Sequence, residues 1–164
     1  ILAYYDPDAA LQMDPEIFPS LHLGATSMLP VCAVAADGQP LFTLPGRAGE
    51  RVPFLSYASG AYMARLVDVI LKEAGESLKL DPIYETDMAE GLKAMALEGH
   101  GLAFLPHSSV RKELKARRLV PAAPAGPLSV TMDVRIYRER PESARLVKPG
   151  VQALWDFLGT QGEP

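Results

Sequence analysis

The stretch from Asp87 to Pro106 (DMAEGLKAMALEGHGLAFLP) constrains the fold more than any other part of the sequence. Its first half has apolar side chains at helical spacing: Met88, Leu92, Met95, Ala96 and Leu97. Gly99 is placed to end this helix in a left-handed conformation, and the run 102–105 before Pro106 has the length of a buried strand. A helix, a glycine turn and a buried strand together make half of an α/β unit.

The rest of the chain alternates in the same way. We predict strands over residues 1–5, 21–23, 28–36, 52–57, 83–85, 102–105, 119–120 and 128–137, and helices over about 59–74, 87–97, 107–117 and 142–158. The closing helix is expected to bury one apolar face, formed by Val147, Val151, Leu154, Trp155 and Leu158. From residue 52 onward, strands and helices alternate, which predicts a mostly parallel sheet with crossover helices. Ligands of such sheets bind at the carboxyl ends of the strands, here the loops Ser56–Gly60, Thr86–Met88 and Pro106–Ser109.

Composition excludes several classes of protein. The chain has 164 residues, is 48% hydrophobic and carries a net charge of −4, which argues against disorder and against a general basic surface for nucleic acid. No apolar run reaches the roughly 18–20 residues that span a membrane. The single cysteine, Cys32, suits a reducing cytoplasm, and its apolar strand predicts a buried, inert thiol. Because the chain starts abruptly on an apolar strand without an initiator methionine, we expect it to be a fragment.

Four passages in register resemble the effector-binding domain of LysR-type transcriptional regulators. They are Gly99–Pro106 (GHGLAFLP) followed by Val110 and by Arg118-Leu119-Val120; Leu29-Pro30-Val31 followed by Gln39-Pro40-Leu41; the strand Val52–Tyr57; and Ile136-Tyr137-Arg138. A narrower resemblance is to the hypochlorite-responsive branch of that family, which is associated with oxidant sensing through methionine. It is carried by Ser56-Tyr57, by Tyr62-Met63, Arg65-Leu66 and Met88, and by Leu92-Lys93, Ala96-Leu97 and Gly99.

The resemblance implies a two-lobed α/β fold of the type 2 periplasmic-binding-protein class, partly truncated in the first lobe, with the effector in the cleft between the lobes. Residues 1–28 and 135–164 would form the remainder of the first lobe, and residues 29–134 the second. The winged helix-turn-helix that binds DNA, its linker helix and the first βαβ portion of the effector domain are absent from this chain. The resemblance also implies homodimers and homotetramers, and DNA binding through the missing part of the parent protein.

Eight residues at the three strand ends are candidates for contacting an effector: Ser56, Tyr57, Ser59, Gly60, Thr86, Asp87, Pro106 and His107. Ser56 or Ser59 precedes a helix, where unpaired N–H groups and the helix dipole favour a carboxylate or phosphate, although either serine alternatively serves as the N-cap. Asp87 would repel an anion, so we predict a capping role for Thr86 or Asp87. His107 either faces the effector or is simply solvated.

Met63 and Met88 are candidate redox residues, because oxidation to the sulfoxide makes an apolar side chain polar and is reversible. The alternative is core packing, which is the expected role of most of the six methionines.

The sequence offers little for catalysis. Ser59 lacks the first glycine of a G-x-S-x-G elbow, and nothing in the spacing favours a triad of Ser59, His107 and Asp87. No metal-ligand or nucleotide-binding motif is present, so we expect no metal and no cofactor. The alternatives to a regulator are therefore a solute-binding protein of a transport system and, less favoured, an α/β hydrolase-like enzyme.

Overall fold

A computed structural model describes residues 1–7, 13–46, 50–75, 78–124, 126, 128–141 and 147–161. The strands are β1 (Leu2–Tyr5), β2 (Ser20–Ala33), β3 (Val52–Tyr57), β4 (Leu80–Thr86), β5 (Leu102–Pro106), β6 (Leu119–Pro121) and β7 (Val130–Tyr137). The helices are α1 (Tyr62–Ala74), α2 (Ala89–Leu97), α3 (His107–Lys115) and α4 (Pro149–Gln161). These elements form an α/β fold, as the sequence predicts, with a sheet that is mixed.

The chain divides into two compact units. The first consists of Ile1–Ala25 together with Met132–Pro164, and the second of Thr26–Thr131. Strands β2 and β7 each start in one unit and end in the other. The second unit is therefore an insertion between the two segments that form the first.

In the second unit, β3 lies between β4 and β5 and is parallel to both, as the crossover helices α1 and α2 require. Strand β2 pairs antiparallel with β5 on one side and with β6 on the other, so the prediction of a mostly parallel sheet is wrong for these pairs. Among the described residues between β1 and β2 there is no crossover helix, so nothing local ties the direction of β2 to that of β3. In the first unit, β1 pairs antiparallel with β7, with Leu2 opposite Ile136.

The core of the second unit lies between the parallel strands and their helices. All five residues of β5 are buried, and the ring of Phe104 meets that of Phe54 edge-to-face, with 6.2 Å between the ring centres. Leu66 and Ile70 of α1 and Leu92 of α2 complete this core. The loops that follow β3 and β4 therefore lead into helices that pack on this core.

Some boundaries differ from those predicted. Gly24 lies inside a single strand, β2, with a φ of 142°, a conformation open to glycine, so the predicted break between two strands does not form. Strand β4 begins earlier than predicted and carries Pro82, which an edge strand tolerates. The predicted start of the last helix, residues 142–146, lies outside the described residues. Of the apolar face predicted for the last helix, Val151 and Leu154 are about half exposed, whereas Val147, Trp155 and Leu158 are partly buried.

Candidate functional site

The three loops that the sequence singles out meet at one edge of the second unit. Tyr57 at the end of β3 lies beside Thr86 at the end of β4, and the Ala58 N–H donates to the Thr86 carbonyl at 2.9 Å. Leu55 of β3 lies beside Ala103 of β5, so β5 also ends at this edge, at Pro106. The carboxyl ends of three neighbouring strands therefore each lead into a helix here, which is where sheets of this class bind ligands.

The loop between β3 and α1 is built by its backbone and not by a serine cap. The Ser56 hydroxyl donates to the Tyr84 carbonyl at 3.1 Å and so connects β3 to β4. Ser59 and Gly60 are exposed, and Gly60 has a φ of 88° in the turn closed by the Ala61 N–H and the Ala58 carbonyl at 3.1 Å. The N-cap of α1 is Ala61, without a side-chain cap, so the capping role considered for Ser56 or Ser59 is wrong.

In the loop between β4 and α2, the side chain of Thr86 forms a hydrogen bond with the backbone at the helix start. Its Oγ1 accepts a hydrogen bond from the Met88 N–H at 3.3 Å, and the N-cap position of α2 is Met88 itself. Asp87 is exposed and caps nothing, because the helix begins one residue later than a cap at Asp87 would require. A Cβ at Gly91 would lie 3.3 Å from the Thr86 methyl, so this glycine lets α2 approach the loop closely.

The loop between β5 and α3 is the shortest of the three. Pro106 is buried, ends β5 and occupies the N-cap position of α3, while His107 is exposed as the first helical residue. The Ser108 N–H donates to Oγ1 of Thr26 on β2 at 3.3 Å. Thr26 was not predicted from the sequence, because only the pairing of β2 with β5 brings it to this edge.

The charges at this edge come from the helix starts and from a few ionised side chains. The first turns of α1 and α3 contain no acidic residue, and Glu90 in the first turn of α2 is paired with Lys93. The Lys93 ammonium also donates to the Ser109 carbonyl at 3.3 Å, which holds a cation beside α3. Three helix N-termini thus contribute partial positive charge, which the exposed carboxylates of Glu85 and Asp87 oppose.

The two candidate methionines differ in exposure from the methionines of the core. Met88 is 62% exposed at the start of α2, and Met63 is half-buried in the first turn of α1. Met28 and Met132, by contrast, are completely buried. An oxidant in solution therefore reaches Met88 directly.

Cys32 is buried on β2, and its thiol donates to the Phe42 carbonyl at 3.2 Å while its sulfur accepts from the Phe42 N–H at 3.4 Å. Burial raises the pKa of this thiol, against the opposing effect of backbone hydrogen bonds at Phe42 and Leu41. The neutral thiol is therefore favoured, as expected for an inert cysteine.

The geometry gives no support to catalysis. No hydrogen bond joins Ser59, Asp87 or His107 to one another, and each is exposed at a different helix start. In the described part of the chain, no three His, Cys, Asp or Glu side chains are grouped as a metal site would need. None of the described helices has both the length and the apolar character to cross a membrane.

Two cavities of the second unit lie away from the predicted residues. One, of about 380 Å³, is at the amino-terminal end of β3 and is lined by residues 40–43, 46 and 50–53. The other, of about 150 Å³, is lined by β2 residues 27, 29 and 30 and by residues 121, 123, 124, 128 and 129. Neither includes any of the eight candidate effector contacts.

Comparison with known proteins gives a consistent result. The family described as the LysR substrate binding domain matches residues 2–163. The HTH-type transcriptional regulator YjiE of Escherichia coli K12 is 34% identical over 103 residues, which is 63% of this chain and 33% of YjiE. The HTH domain-truncated transcriptional regulator QseD of Escherichia coli O157:H7 is 33% identical over 103 residues, which is 63% of this chain and 41% of QseD. The chain thus spans less than half the length of these relatives.

Solved structures of HypT from Salmonella typhimurium, a hypochlorite-specific LysR-type transcriptional regulator, have the same fold. The apo regulatory domain superposes with a TM-score of 0.79 and 27% identity, covering 98% of this chain and 71% of that domain. Full-length HypT superposes with a TM-score of 0.78 and 28% identity, covering 98% of this chain and 50% of HypT.

Proposed function

Because the chain belongs to the LysR substrate-binding domain family, we propose that it is the part of a LysR-type transcriptional regulator that detects a signal and transmits it to a DNA-binding domain of the parent protein. Domains of this family regulate transcription and are not enzymes, so the hydrolase alternative is set aside. Regulators of this family bind DNA and oligomerise. We extend both properties to the parent of this chain and place its action in the cytoplasm.

The signal that the geometry supports best is a small anion at the carboxyl edge of β3, β4 and β5. The single observation that carries this proposal is the convergence of three helix starts, two of them without an acidic residue in the first turn. In this proposal Ser59, Gly60 and His107 are exposed to the ligand, while Tyr57, Thr86 and Pro106 support it from the strand ends. Binding that differs between two conformations of the regulator by about 1–3 kcal/mol would be enough to switch it.

A matched pair of substitutions at the N-cap of α1 tests the anion site. Ala61 has the extended backbone of an N-cap, so Ala61→Asn and Ala61→Asp should both cap the helix, but only aspartate adds negative charge. With inorganic phosphate and a panel of small carboxylates as probes, we expect ligand-dependent rises in melting temperature for wild type and Ala61→Asn. Ala61→Asp should need at least ten times more ligand for the same rise. An equal response of the two variants would contradict an anion at this edge.

A second signal, oxidation of methionine, is favoured by the exposure of Met88 at the start of α2. Conversion to the sulfoxide there would place a polar group beside the Thr86 loop and alter the start of the helix. The similarity to hypochlorite-specific HypT supports this second candidate.

Limiting hypochlorite and peptide mass spectrometry test the chemistry. We expect Met88 to be oxidised first, Met63 later, and Met28 and Met132 last, because the last two are completely buried. In the parent regulator, the double variant Met63→Leu/Met88→Leu should lose the change in DNA affinity that hypochlorite causes. Met95→Leu, which replaces a half-buried methionine of α2, is the matched control and should keep it. A double variant that responds like wild type would refute methionine sensing at these positions.

A further inference from the structure

The carboxyl-terminal part of α3 and the residues that follow it concentrate positive charge. Residues 111–118 contain five of the 16 lysines and arginines of the chain and one acidic residue, which gives this segment a net charge of +4. Because the whole chain has a net charge of −4, the remaining residues together carry −8. The segment is therefore opposite in sign to the rest of the protein, and its field attracts anionic partners.

Two of the five cations have partners within the fold. The Arg118 guanidinium pairs with the largely buried Glu113 carboxylate at 3.1 Å. The Arg117 guanidinium donates to the Gly38 carbonyl at 3.3 Å. The other three cations are exposed and form no ion pair or side-chain hydrogen bond with any described residue. These three, which we call the basic face, are Arg111, Lys112 and Lys115.

The basic face lies on the outer side of α3. Val110 and Glu113 are buried on the inner side, and the three cations span about 100° of the opposite side, at about 100° per residue. Arg111 and Lys115 are one helical turn apart, where like charges repel each other and disfavour the helix. The helix dipole favours Lys112 and Lys115 in the last turn but does not account for Arg111. The fold of α3 therefore gives no reason for three cations to lie together here.

Neighbouring acidic residues do not neutralise the basic face. On α2, which packs beside α3, Glu90 is already paired with Lys93. Glu98 at the end of α2 and Asp37 in the turn 35–39 are exposed, and neither forms an ion pair with the basic face. Within the part of the chain that is described, these three cations thus remain available to an external anion.

We propose that the basic face of α3 contacts the phosphate backbone of DNA to which the parent regulator is bound, beside the segment held by its DNA-binding domain. This inference rests on the proposed function, since it requires a parent protein that binds DNA. Lysine and arginine side chains replace the counterions of DNA and bind its phosphates without regard to base sequence. DNA is favoured over an acidic protein as the partner, because a duplex held by the same parent molecule has a high effective concentration beside this domain.

The salt dependence of DNA binding by the parent regulator tests the proposal. The triple variant Arg111→Gln/Lys112→Gln/Lys115→Gln removes the charge of the basic face and keeps long polar side chains. A long duplex of mixed sequence is the probe, because phosphate contacts do not depend on sequence. We expect the slope of log affinity against log salt concentration to become shallower by about 0.9 for each phosphate contact that is lost. The melting temperature should stay near that of wild type, because all three side chains are exposed.

The matched control is Arg51→Gln/Lys72→Gln/Lys79→Gln, which removes the same charge from exposed positions elsewhere in the second unit and should keep the wild-type slope. A basic-face variant with the wild-type slope would overturn the proposal, because the face is then only solvated. Equal changes of slope in both variants would also overturn it, since they would report net charge alone. If the wild-type parent protein fails to bind the duplex at low salt, the proposed function itself fails and takes this inference with it, so the two failures are distinguishable.

Discussion

Replacement of Gly101 by alanine tests how closely the residue before β5 packs against the neighbouring strand β3. A Cβ at this position would lie 2.9 Å from the Pro53 carbonyl oxygen and 3.1 and 3.2 Å from Leu55 Cγ and Cδ2. The carbonyl belongs to the backbone of β3, the middle one of the three parallel strands, and Leu55 is completely buried, so neither can move aside freely. Overpacking of this kind costs about 1–3 kcal/mol, offset by about 0.4–1 kcal/mol from the stiffer unfolded chain. We therefore expect a net loss of about 1–2 kcal/mol, or roughly 2–8 °C in melting temperature for a chain of this length.

Equilibrium unfolding in urea measures this loss as a lower midpoint with an unchanged slope. The matched control is Gly91→Ala in α2, where a Cβ would meet the Thr86 methyl at 3.3 Å and no backbone atom. Alanine adds about 1 kcal/mol of helix propensity, and the small shift of the partly buried Thr86 methyl that it requires offsets only part of this gain, so the variant should unfold at or above the wild-type midpoint. A Gly101→Ala protein as stable as wild type would refute the register that places Leu102 beside Phe54 and Ala103 beside Leu55.

Three further predictions concern the second unit. Phe104→Ala should lower the free energy of unfolding by about 3–5 kcal/mol, and a double-mutant cycle with Phe54→Ala in urea should give a coupling of about 0.5–1.5 kcal/mol for the edge-to-face pair. Burial raises the pKa of the Cys32 thiol in the folded protein above its ordinary value of 9.0. The stability that the neutral thiol contributes is therefore present below the ordinary pKa and is lost as the pH rises through the pKa of the folded state. Wild type should therefore lose more stability than Cys32→Ala in urea titrations above about pH 9. Ala61→Asn should raise stability by about 0.5–2 kcal/mol by capping α1, measured in the same way.

Local sequence patterns were sufficient to predict most of the helices and strands. The end of α2 near Gly99, whose φ is 78°, and the fully buried β5 follow directly from glycine chemistry and an unbroken apolar run. The direction of β2 could not be predicted, because it depends on pairing with β5 and β6, far away in sequence. The periodicity of α4 predicted an apolar face but could not tell that Val151 and Leu154 would be about half exposed.

The grouping of the three loops at one sheet edge was predicted from the sequence, but their local structure was not. Parallel strands joined by crossover helices bring their ends together, so the three loops could be grouped from the sequence alone. Cap preferences pointed to Ser59 and Asp87, yet Ala61 and Met88 occupy the N-cap positions. The turn before α1 determines where that helix begins, and the Thr86 hydroxyl does the same for α2. Tertiary geometry of this kind outweighs an N-cap preference of about 1 kcal/mol. Nothing in the sequence indicated that Thr26 would accept a hydrogen bond at this edge, since that contact depends on the pairing of β2 with β5.

The insertion of the second unit into the first has a consequence for synthesis on the ribosome. Ile1 and Tyr137, which are hydrogen-bonded across β1 and β7, are 136 positions apart in the chain. All strands and helices of the second unit except β7 are synthesised before this pairing can form, so the second unit can fold while β1 still waits for its partner. At about 5–20 residues per second, that wait lasts roughly 7–27 s. Strand β1 is without its β7 partner throughout this interval, so its apolar side chains depend on chaperone protection until Tyr137 has been synthesised.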